Sequence, residues 1–544
     1  MSKQVSFFKG ALILTIAGVL GKMLGALYRI PFNRIVGEEG AALYGLSYSV
    51  YSVMFALSTA GVPLAVSKMV AVYEERAEHG ESVRLIKAAF TLLSAIGIVI
   101  GLIFFTQADV IAQALFNEPQ AALSLKMLSP AMVFSCLMAV LRGYFQGHQQ
   151  MVPTAVSQIL EQFFRVGTIF LAIFLLAGKP LEVIVAGASF GSAVGGICGF
   201  TFLAIFFVRY YKRNHPVNVV EPQAPETTAQ MMKQLVYYAI PISIGALVLP
   251  IMQFIDSSMD IACLEASGMA HEQALIQYGY LSSYAMPIIN LPFIITTAVA
   301  ASLVPTVANL HELKDQAGVD HNIRTSLMLT ILLMLPAAAG LATLGTPICA
   351  LLYDNAPSGM ALSYVAFTVL AVGVYQVSAS ALQGLGRVLI PMSSLIMGAV
   401  IKVVLNYVLL SRPGADIRMA AVATVIGFSV AALHNLIQLG RIVGWGWFSA
   451  KQMVLKPIIA TAVMAACVTV VKHFFVDLIG NALMITACGI LVGVISYFVV
   501  IFVMGGMDRI PLKRCQKSVQ SSLKNGAASN CESVKAFLRK RFFC

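Results

Sequence analysis

Four basic residues lie inside long apolar segments of the chain: Lys22, Arg29, Arg165 and Lys402. A Lys or Arg at the centre of a membrane helix costs roughly 2.5 to 3.5 kcal/mol on insertion scales, so such groups normally face a bundle interior or a water-filled cavity. Lys22 and Arg29 are seven residues apart and therefore share one helix face, which indicates a cationic stripe. The alternative is that their side chains extend to the two membrane interfaces.

Three acidic residues accompany these cations. Glu161 precedes Arg165 by four residues, so the two side chains can pair on one helix, either for function or only as a packing contact. Asp256 and Asp260 also lie one turn apart, where they either bind a coupling ion or proton or simply mark the end of their helix. Glu161 is therefore the carboxylate expected near the middle of the membrane.

The elements that carry these residues are membrane-spanning helices. Of the 544 residues, 59% are hydrophobic and 11% are charged, whereas soluble domains carry about 25% charged residues. Apolar segments of about 20 residues or more, long enough to cross a bilayer, recur throughout the chain. The sequence predicts an all-α integral membrane protein with about fourteen transmembrane helices, at residues 10–36, 42–72, 84–106, 122–145, 151–177, 181–210, 234–262, 276–308, 323–346, 360–385, 388–410, 417–442, 452–473 and 480–504.

The distribution of basic residues predicts the orientation of the chain. There are 36 Lys and Arg residues against 24 Asp and Glu, a net charge of +12. With a cytoplasmic N-terminus, 26 of the 36 fall on the cytoplasmic side, six in outer loops and four within helices. This bias follows the positive-inside rule and predicts that both termini are cytoplasmic; only the loop with Arg412 and Arg418 departs from it. Because the basic residues lie between apolar segments, their positions argue against a nucleic-acid partner.

The sequence lacks the motifs of common catalytic and metal sites. Its nine cysteines show no spacing typical of zinc binding or of a disulfide framework, and there is no P-loop or HExxH motif. We therefore predict no cofactor and no metal site. The short loops, poor in acidic and histidine clusters, also argue against a membrane-bound transferase, so the sequence favours a transporter over an enzyme.

Two blocks of six predicted helices resemble each other. In the first block Gln146-Gly147 is followed by Pro153, and in the second Gln383-Gly384 is followed by Pro391. A weaker match links Gly61-Val62-Pro63 with Leu303-Val304-Pro305. Their shared order and an offset of about 240 residues indicate a duplicated unit with parallel topology, the arrangement of many transporters.

The repeat predicts both the domain organisation and a pair of related cations. Arg165 lies twelve residues after Pro153 and Lys402 eleven after Pro391, so each block offers a cation at similar depth. The predicted regions are an N-terminal six-helix lobe at 1–211, a cytoplasmic linker at 212–233, a C-terminal six-helix lobe at 234–445, helices 13 and 14 at 446–505, and a basic cytoplasmic tail at 506–544.

Glycines and prolines suggest where helices bend or approach one another. Gly18, Gly21 and Gly25 flank Lys22 and would permit close helix packing or bending. Prolines inside predicted helices suggest kinks and local breaks of the kind that gating transporters use, at Pro241, Pro250, Pro287, Pro292 and Pro305.

Several segments together carry a family resemblance. They are Gly21-Lys22-Met23-Leu24-Gly25, Arg29-Ile30-Pro31, Val36-Gly37-Glu38-Glu39-Gly40, Gly61-Val62-Pro63-Leu64-Ala65-Val66-Ser67-Lys68 and Gln158-Ile159-Leu160-Glu161-Gln162-Phe163-Phe164-Arg165-Val166. The chain resembles the stage V sporulation protein B and MurJ-like lipid II flippases of the multidrug/oligosaccharidyl-lipid/polysaccharide exporter superfamily. The similarity covers the whole chain, including the helix count of six, six and two.

The resemblance implies a V-shaped, two-lobed carrier that moves an undecaprenyl-pyrophosphate-linked peptidoglycan precursor from the inner to the outer leaflet of a bacterial cytoplasmic membrane by alternating access. Helices 13 and 14 would form a groove for the lipid tail. Lys22, Arg29, Arg165 and Lys402 would bind the anionic head group, with Glu161 holding Arg165 in place. The helix-eight arginine of Gram-negative members has no match, because the local sequence is Tyr280-Leu281-Ser282-Ser283-Tyr284.

Two other functions stay open at this point. One is a flippase for another lipid-linked polysaccharide, such as a teichoic acid or capsule precursor. The other is a multidrug and cation antiporter, for which a basic cavity is a poor host because cationic drugs need carboxylates. The expected partners are a lipid-linked anionic glycan precursor and membrane lipids, with cell-wall synthesis enzymes as further candidates, and we expect a monomer.

Overall fold

The structure is a computed structural model that describes residues 2–76, 78–214, 227–478 and 481–504. Every regular element in these ranges is helical, which confirms the predicted all-α membrane fold. Within them, twelve helices are long and apolar enough to cross a membrane, or thirteen if the bent pair Ser358–Val365 and Thr368–Gly384 is one span. The first predicted span, 10–36, corresponds to the helix Ser2–Leu27 and to the first turns of the next helix, which begins at Arg29.

The first half of the chain contains eight helices in the described ranges. They are α1 (Ser2–Leu27), α2 (Arg29–Thr59), α3 (Val62–Glu75), α4 (His79–Thr106), α5 (Ala108–Phe116), α6 (Ala121–Gly147), α7 (Met151–Leu175) and α8 (Leu181–Asn214). Gly37 interrupts α2 with a φ of 70°, a conformation that glycine adopts without strain. The predicted boundary between helices one and two lies at this break.

The second half contains the remaining helices. They are α9 (Thr228–Ala266), α10 (His271–Gly279), a π-helical turn (Tyr280–Ala285), α11 (Met286–Ile289), α12 (Phe293–Glu312), α13 (Gln316–Tyr353), α14 (Ser358–Val365), α15 (Thr368–Gly384), α16 (Leu389–Leu410), α17 (Arg418–Val443), a second π-helical turn (Lys451–Leu455), α18 (Lys456–Leu478) and α19 (Ala482–Val503). Most of the predicted linker and all of the predicted tail lie outside the described residues.

The predicted eighth helix, 276–308, is divided in the structure. A π-helical turn at Tyr280–Ala285 leads into the short α11, and the chain then turns before α12 begins at Phe293. Pro292 caps the start of α12, whereas Pro305 lies inside that helix without ending it. The sequence prediction of one continuous helix was therefore wrong, although its prolines had marked a break.

Equivalent glycines show that the two halves repeat the same packing. A Cβ added to Gly147 at the end of α6 would lie 2.7 Å from Val70 Cβ in α3. A Cβ added to Gly384 at the end of α15 would lie 2.9 Å from Val307 Cβ in α12. Gly384 follows Gly147 by 237 residues, and Val307 follows Val70 by the same number. The structure thus places the predicted sequence repeats in equivalent helix contacts.

The two halves contact each other mainly through α2, α9 and the first π-helical turn. Asn33 Nδ2 donates to the Ser283 carbonyl at 2.8 Å, and Ser283 Oγ donates to the Ala41 carbonyl at 2.6 Å. Tyr280 donates its hydroxyl hydrogen to Glu38 at 2.8 Å. A π-helical turn displaces carbonyl groups from the regular helical ladder, so the Ser283 carbonyl is available to a neighbouring helix.

A histidine joins the halves on the same side, which is the predicted outer side. His271 Nε2 lies 3.1 Å from Glu118 Oε2 of the α5–α6 loop, and Nδ1 bonds to Glu265 at the end of α9. Burial lowers the pKa of His271, but hydrogen bonds and charges from the two glutamates outweigh it. The pKa of His271 is therefore raised above its ordinary value of 6.5.

Candidate functional site

A cavity of 340 Å³ lies in the first half, among α1, α2, α6 and α7. Polar and charged side chains dominate its lining. The lining residues are Ala17, Gly18, Gly21, Gly25, Tyr28, Arg29, Tyr48, Arg142, Gln158, Glu161, Gln162 and Arg165. Three guanidinium groups and one carboxylate give these residues a formal charge of +2.

The structure brings Arg29, Glu161 and Arg165 together at this cavity, as the sequence suggested, and adds Arg142. Glu161 Oε2 accepts a hydrogen bond from Arg142 at 2.9 Å, whereas Glu161 Oε1 lies 4.0 Å from Arg165. Arg142 Nε also donates to Ser157 at 3.1 Å. Glu161 therefore pairs mainly with Arg142, and the predicted pair with Arg165 is only a longer-range contact.

The helical hairpin of α6 and α7 explains the position of Arg142. A tight turn with Gln149 at a φ of 58° separates the helices, so residues equally distant from it face each other. Arg142 lies seven residues before Gln149 and Ser157 eight after it. The sequence analysis did not include Arg142 among the intramembrane cations, and the structure adds it to the cavity. The similar spacing about the turn, seven residues before it and eight after it, was the signal that could have identified Arg142.

Tyrosines hold the two remaining guanidinium groups. Arg29 Cζ lies 5.8 Å from the ring centre of Tyr44, and Arg165 Cζ lies 5.9 Å from that of Tyr48. Arg29 also donates to the Ser282 carbonyl across a long 3.5 Å contact. Cation–π contacts position a guanidinium group without neutralising its charge. Both cations therefore keep the capacity to bind an anion.

The glycine face of α1 forms a wall of the cavity. A Cβ added to Gly18 or Gly25 would meet no atom within 4 Å, and one added to Gly21 would make only an ordinary contact with Gln162 at 3.5 Å. Gly18 and Gly25 therefore leave open space at the cavity, whereas Gly21 lies where α1 packs on α7. Lys22 belongs to α1, but its side chain lies outside the described residues.

Lys402 lies in a different environment, although its backbone position matches that of Arg165. A Cβ added to Gly195 would lie 3.3 Å from Arg165 Cβ, and one added to Gly427 would lie 2.9 Å from Lys402 Cβ. Lys402 follows Arg165 by 237 residues, the offset that also separates Gly384 from Gly147. The two cations therefore occupy equivalent places in the repeat.

Two carboxylates of α9 lie close to Lys402. Its Nζ lies 2.5 Å from Asp256 Oδ2, and Lys402 is only 3% exposed. Asn406 donates to Asp260 at 2.8 Å, and Asp260 Oδ2 has no hydrogen-bond partner among the described residues. Asp256 and Asp260 thus lie inside α9 and face α16, rather than marking a helix end. Lys402 does not line the cavity of the first half.

Two family models match the chain. The model of the polysaccharide biosynthesis protein family matches residues 7–311, and the MatE model matches residues 241–408. The similar proteins are all from Bacillus subtilis strain 168. The uncharacterized membrane protein YabM is 31% identical over 86% of this chain and 85% of its own length. The lipid II flippase MurJ is 27% identical over 85% of this chain and 88% of its own length. Stage V sporulation protein B is 27% identical over 81% of this chain and 85% of its own length.

Solved structures share the fold at low sequence identity. A lipid II flippase MurJ in an inward closed conformation has a TM-score of 0.67 and 15% identity, covering 91% of this chain and 99% of that one. An inward-facing multidrug resistance transporter of the MATE family has a TM-score of 0.64 and 16% identity, and the match covers 78% of this chain and 95% of that one. At this level of identity the similarity shows that the fold is shared.

Proposed function

The chain belongs to the polysaccharide biosynthesis protein family, in the branch of MurJ-like flippases and stage V sporulation protein B, and we propose that it moves lipid II across the bacterial cytoplasmic membrane. One named relative is a lipid II flippase and one similar solved structure is a multidrug resistance transporter, which supports a transporter rather than an enzyme. The observation that carries the proposal is the cavity with two positive charges in excess.

The cargo follows from the chemistry of that cavity. A diphosphate is a strong anion, and guanidinium groups bind phosphate oxygens through charge-assisted, bidentate hydrogen bonds. Arg29 and Arg165 supply such groups, while Arg142 is largely occupied by Glu161. Lys22 would add a cation on the same helix as the glycine wall. An undecaprenyl-diphosphate-linked glycan would therefore bind with its diphosphate between α1 and α7.

Transport by alternating access requires the halves to separate on one side at a time. With both termini in the cytoplasm, the hydrogen bonds of Asn33, Glu38 and Ser283 lie on the outer side and keep it closed. Release of cargo to the outer leaflet would break these contacts. Helices α18 and α19 would guide the lipid tail.

Asp256 and Asp260 are proposed to couple the cycle to an ion or proton. Two buried carboxylates face a single lysine, so the cluster carries one negative charge in excess when both are ionised. This cluster, together with the MatE match over residues 241–408, favours cation antiport as the second candidate function. A glycan other than peptidoglycan, such as a teichoic acid or capsule precursor, is the alternative cargo.

The test is depletion of the protein in its native cell with measurement of lipid II accessible from outside and retained inside. We expect internal accumulation with external loss, restored by the wild-type chain and by Arg412→Ala, an exposed control outside the cavity. Arg29→Ala and Arg165→Ala at wild-type protein levels should fail to restore it. Unchanged lipid II on both faces would contradict this cargo and favour another glycan or cation export.

A further inference from the structure

We infer that Gln158 and Gln162 of α7 form a sugar-binding subsite beside the phosphate site, an inference that rests on the proposed function and specifies part of its cargo. The two glutamines lie one helical turn apart, and both line the cavity next to Arg165. They belong to the same helix face as Glu161, which fixes their direction toward the cavity. This places amide groups immediately beside a cation.

The unused hydrogen-bonding atoms define the ligand. Gln158 Oε1, Gln162 Oε1 and Arg165 Nε are all buried, and none has a hydrogen-bond partner among the described residues. Leaving buried polar atoms unpaired is costly, so they are normally satisfied by protein, water or ligand. The amide oxygens accept hydrogen bonds, whereas Arg165 Nε donates one. A fitting ligand therefore carries hydrogen-bond donors close to an anionic or carbonyl acceptor.

A phosphate alone does not meet this requirement. A phosphate or diphosphate diester presents acceptor oxygens, which satisfy Arg29 and Arg165 but, in the amide orientations of the structure, leave both amide oxygens unpaired. A sugar attached to the phosphate adds hydroxyl groups, and an N-acetylated sugar also adds an amide N–H. These donors lie within a few bonds of the phosphate, as the spacing of Gln158, Gln162 and Arg165 along one helix requires.

The size and walls of the cavity agree with one sugar phosphate rather than a whole glycan. Its 340 Å³ is at the lower end of the roughly 300–1,000 Å³ range of small-molecule sites. Gly18 and Gly25 leave open space on the facing wall of α1. The first sugar and its phosphate would be enclosed here, and the rest of the glycan would extend from the site.

Binding of two soluble probes to the purified full-length chain separates the sugar from the phosphate. The probes are N-acetylglucosamine 1-phosphate and inorganic phosphate, with affinities measured by calorimetry in detergent. We expect the wild-type chain to bind the sugar phosphate about tenfold more tightly than phosphate, a ratio that hydrogen bonds to two amides can supply. Gln158→Leu with Gln162→Leu should reduce this ratio to about one and leave phosphate affinity unchanged.

Two variants serve as controls. Gln113→Leu alters an exposed glutamine that bonds to Asn117 far from the cavity, and it should keep the tenfold ratio. Arg165→Gln should weaken both probes. Wild-type binding of both probes with equal affinity, or an unchanged ratio in the double glutamine variant, would overturn the sugar subsite but not the phosphate site. Failure of the wild-type chain to bind either probe would contradict the proposed anion site itself, and the subsite with it.

Discussion

Arg165 and Lys402 occupy equivalent positions in the two halves, 237 residues apart, yet their surroundings are opposite. Arg165 faces a cavity in which three arginines outnumber one glutamate. Lys402 is buried against Asp256, with Asp260 nearby, so carboxylates outnumber the cation. The duplicated fold placed a cation at the same site twice, and only one of them can contact a ligand from the cavity.

The first helix of each half makes this difference. In the first half α1 presents glycines to α7, and the missing side chains leave the cavity open. In the second half α9 presents Asp256 and Asp260 to α16, and these side chains occupy the corresponding space. Residue type alone therefore does not determine the role of a membrane cation. The facing helix decides whether that cation binds a ligand or stabilises the protein.

The largest expected effect is on the stability of the second half. Lys402→Ala would leave Asp256 and Asp260 buried without their cation, and we expect the free energy of unfolding to fall by about 3–5 kcal/mol. Thermal and denaturant unfolding in detergent would measure the loss. Lys402→Met combined with Asp256→Asn removes the buried pair together and should recover most of the stability. A stable Lys402→Ala variant would show that this lysine is not the counter-ion of the cluster.

In the first half we expect a smaller change in the free energy of unfolding but a larger change in affinity for the head group. Arg165→Gln removes a cation whose hydrogen bonds to a charged ligand are worth about 1.5–3 kcal/mol, so affinity for the head group should fall about ten- to a hundredfold. Stability should change little, because Glu161 keeps Arg142 as its partner at 2.9 Å. Binding and unfolding measured on one preparation would test the contrast with Lys402. If Arg165→Gln lost stability but kept its affinity for the head group, Arg165 would be a stabilising residue like Lys402 and not a ligand-binding one.

Filling the glycine wall would make the first half resemble the second. Gly25→Leu would project a side chain into open space, and competition with the cargo should slow transport by about tenfold. Gly167→Leu is the matched control, since a Cβ there also meets no atom within 4 Å but the residue does not line the cavity. Equal transport rates in the two variants would mean that the cargo does not pass along α1.

The smallest expected effect concerns the contact between the halves at His271. Its pKa is raised above 6.5 because Glu118 and Glu265 stabilise the protonated ring, so the contact is fully formed at low pH and weakens as pH rises through that raised value. A partly exposed pair of this kind contributes about 0.2–1 kcal/mol. Cysteine cross-linking between the α5–α6 loop and α10 should decline as pH rises. His271→Gln should abolish the pH dependence of cross-linking. If the pH dependence persisted in this variant, another group would be its cause.

Sequence patterns were sufficient for most of the helices and for part of the cavity. Hydropathy placed the spans, and the four-residue spacing of Glu161 and Arg165 placed both on one face of α7. The ion pair of Lys402 with Asp256 could not be read from the sequence, because 146 residues separate the partners and only the packing of α9 on α16 joins them. The π-helical turn at Tyr280–Ala285 was also unpredictable, since it depends on contacts with α2.

The most direct test of the account is transport of a labelled lipid-linked precursor by the full-length chain in proteoliposomes. The comparison is between Arg165→Gln and the double variant Lys402→Met with Asp256→Asn, each reconstituted at equal protein density. Because Arg165 faces the cavity and Lys402 does not, we predict that precursor binding, measured on the same proteoliposomes, fails together with transport in the Arg165 variant. The double variant should keep wild-type precursor binding, although loss of the proposed coupling residue Asp256 should slow its transport. Wild-type transport by Arg165→Gln would contradict the claim that the cavity of the first half binds the anionic cargo.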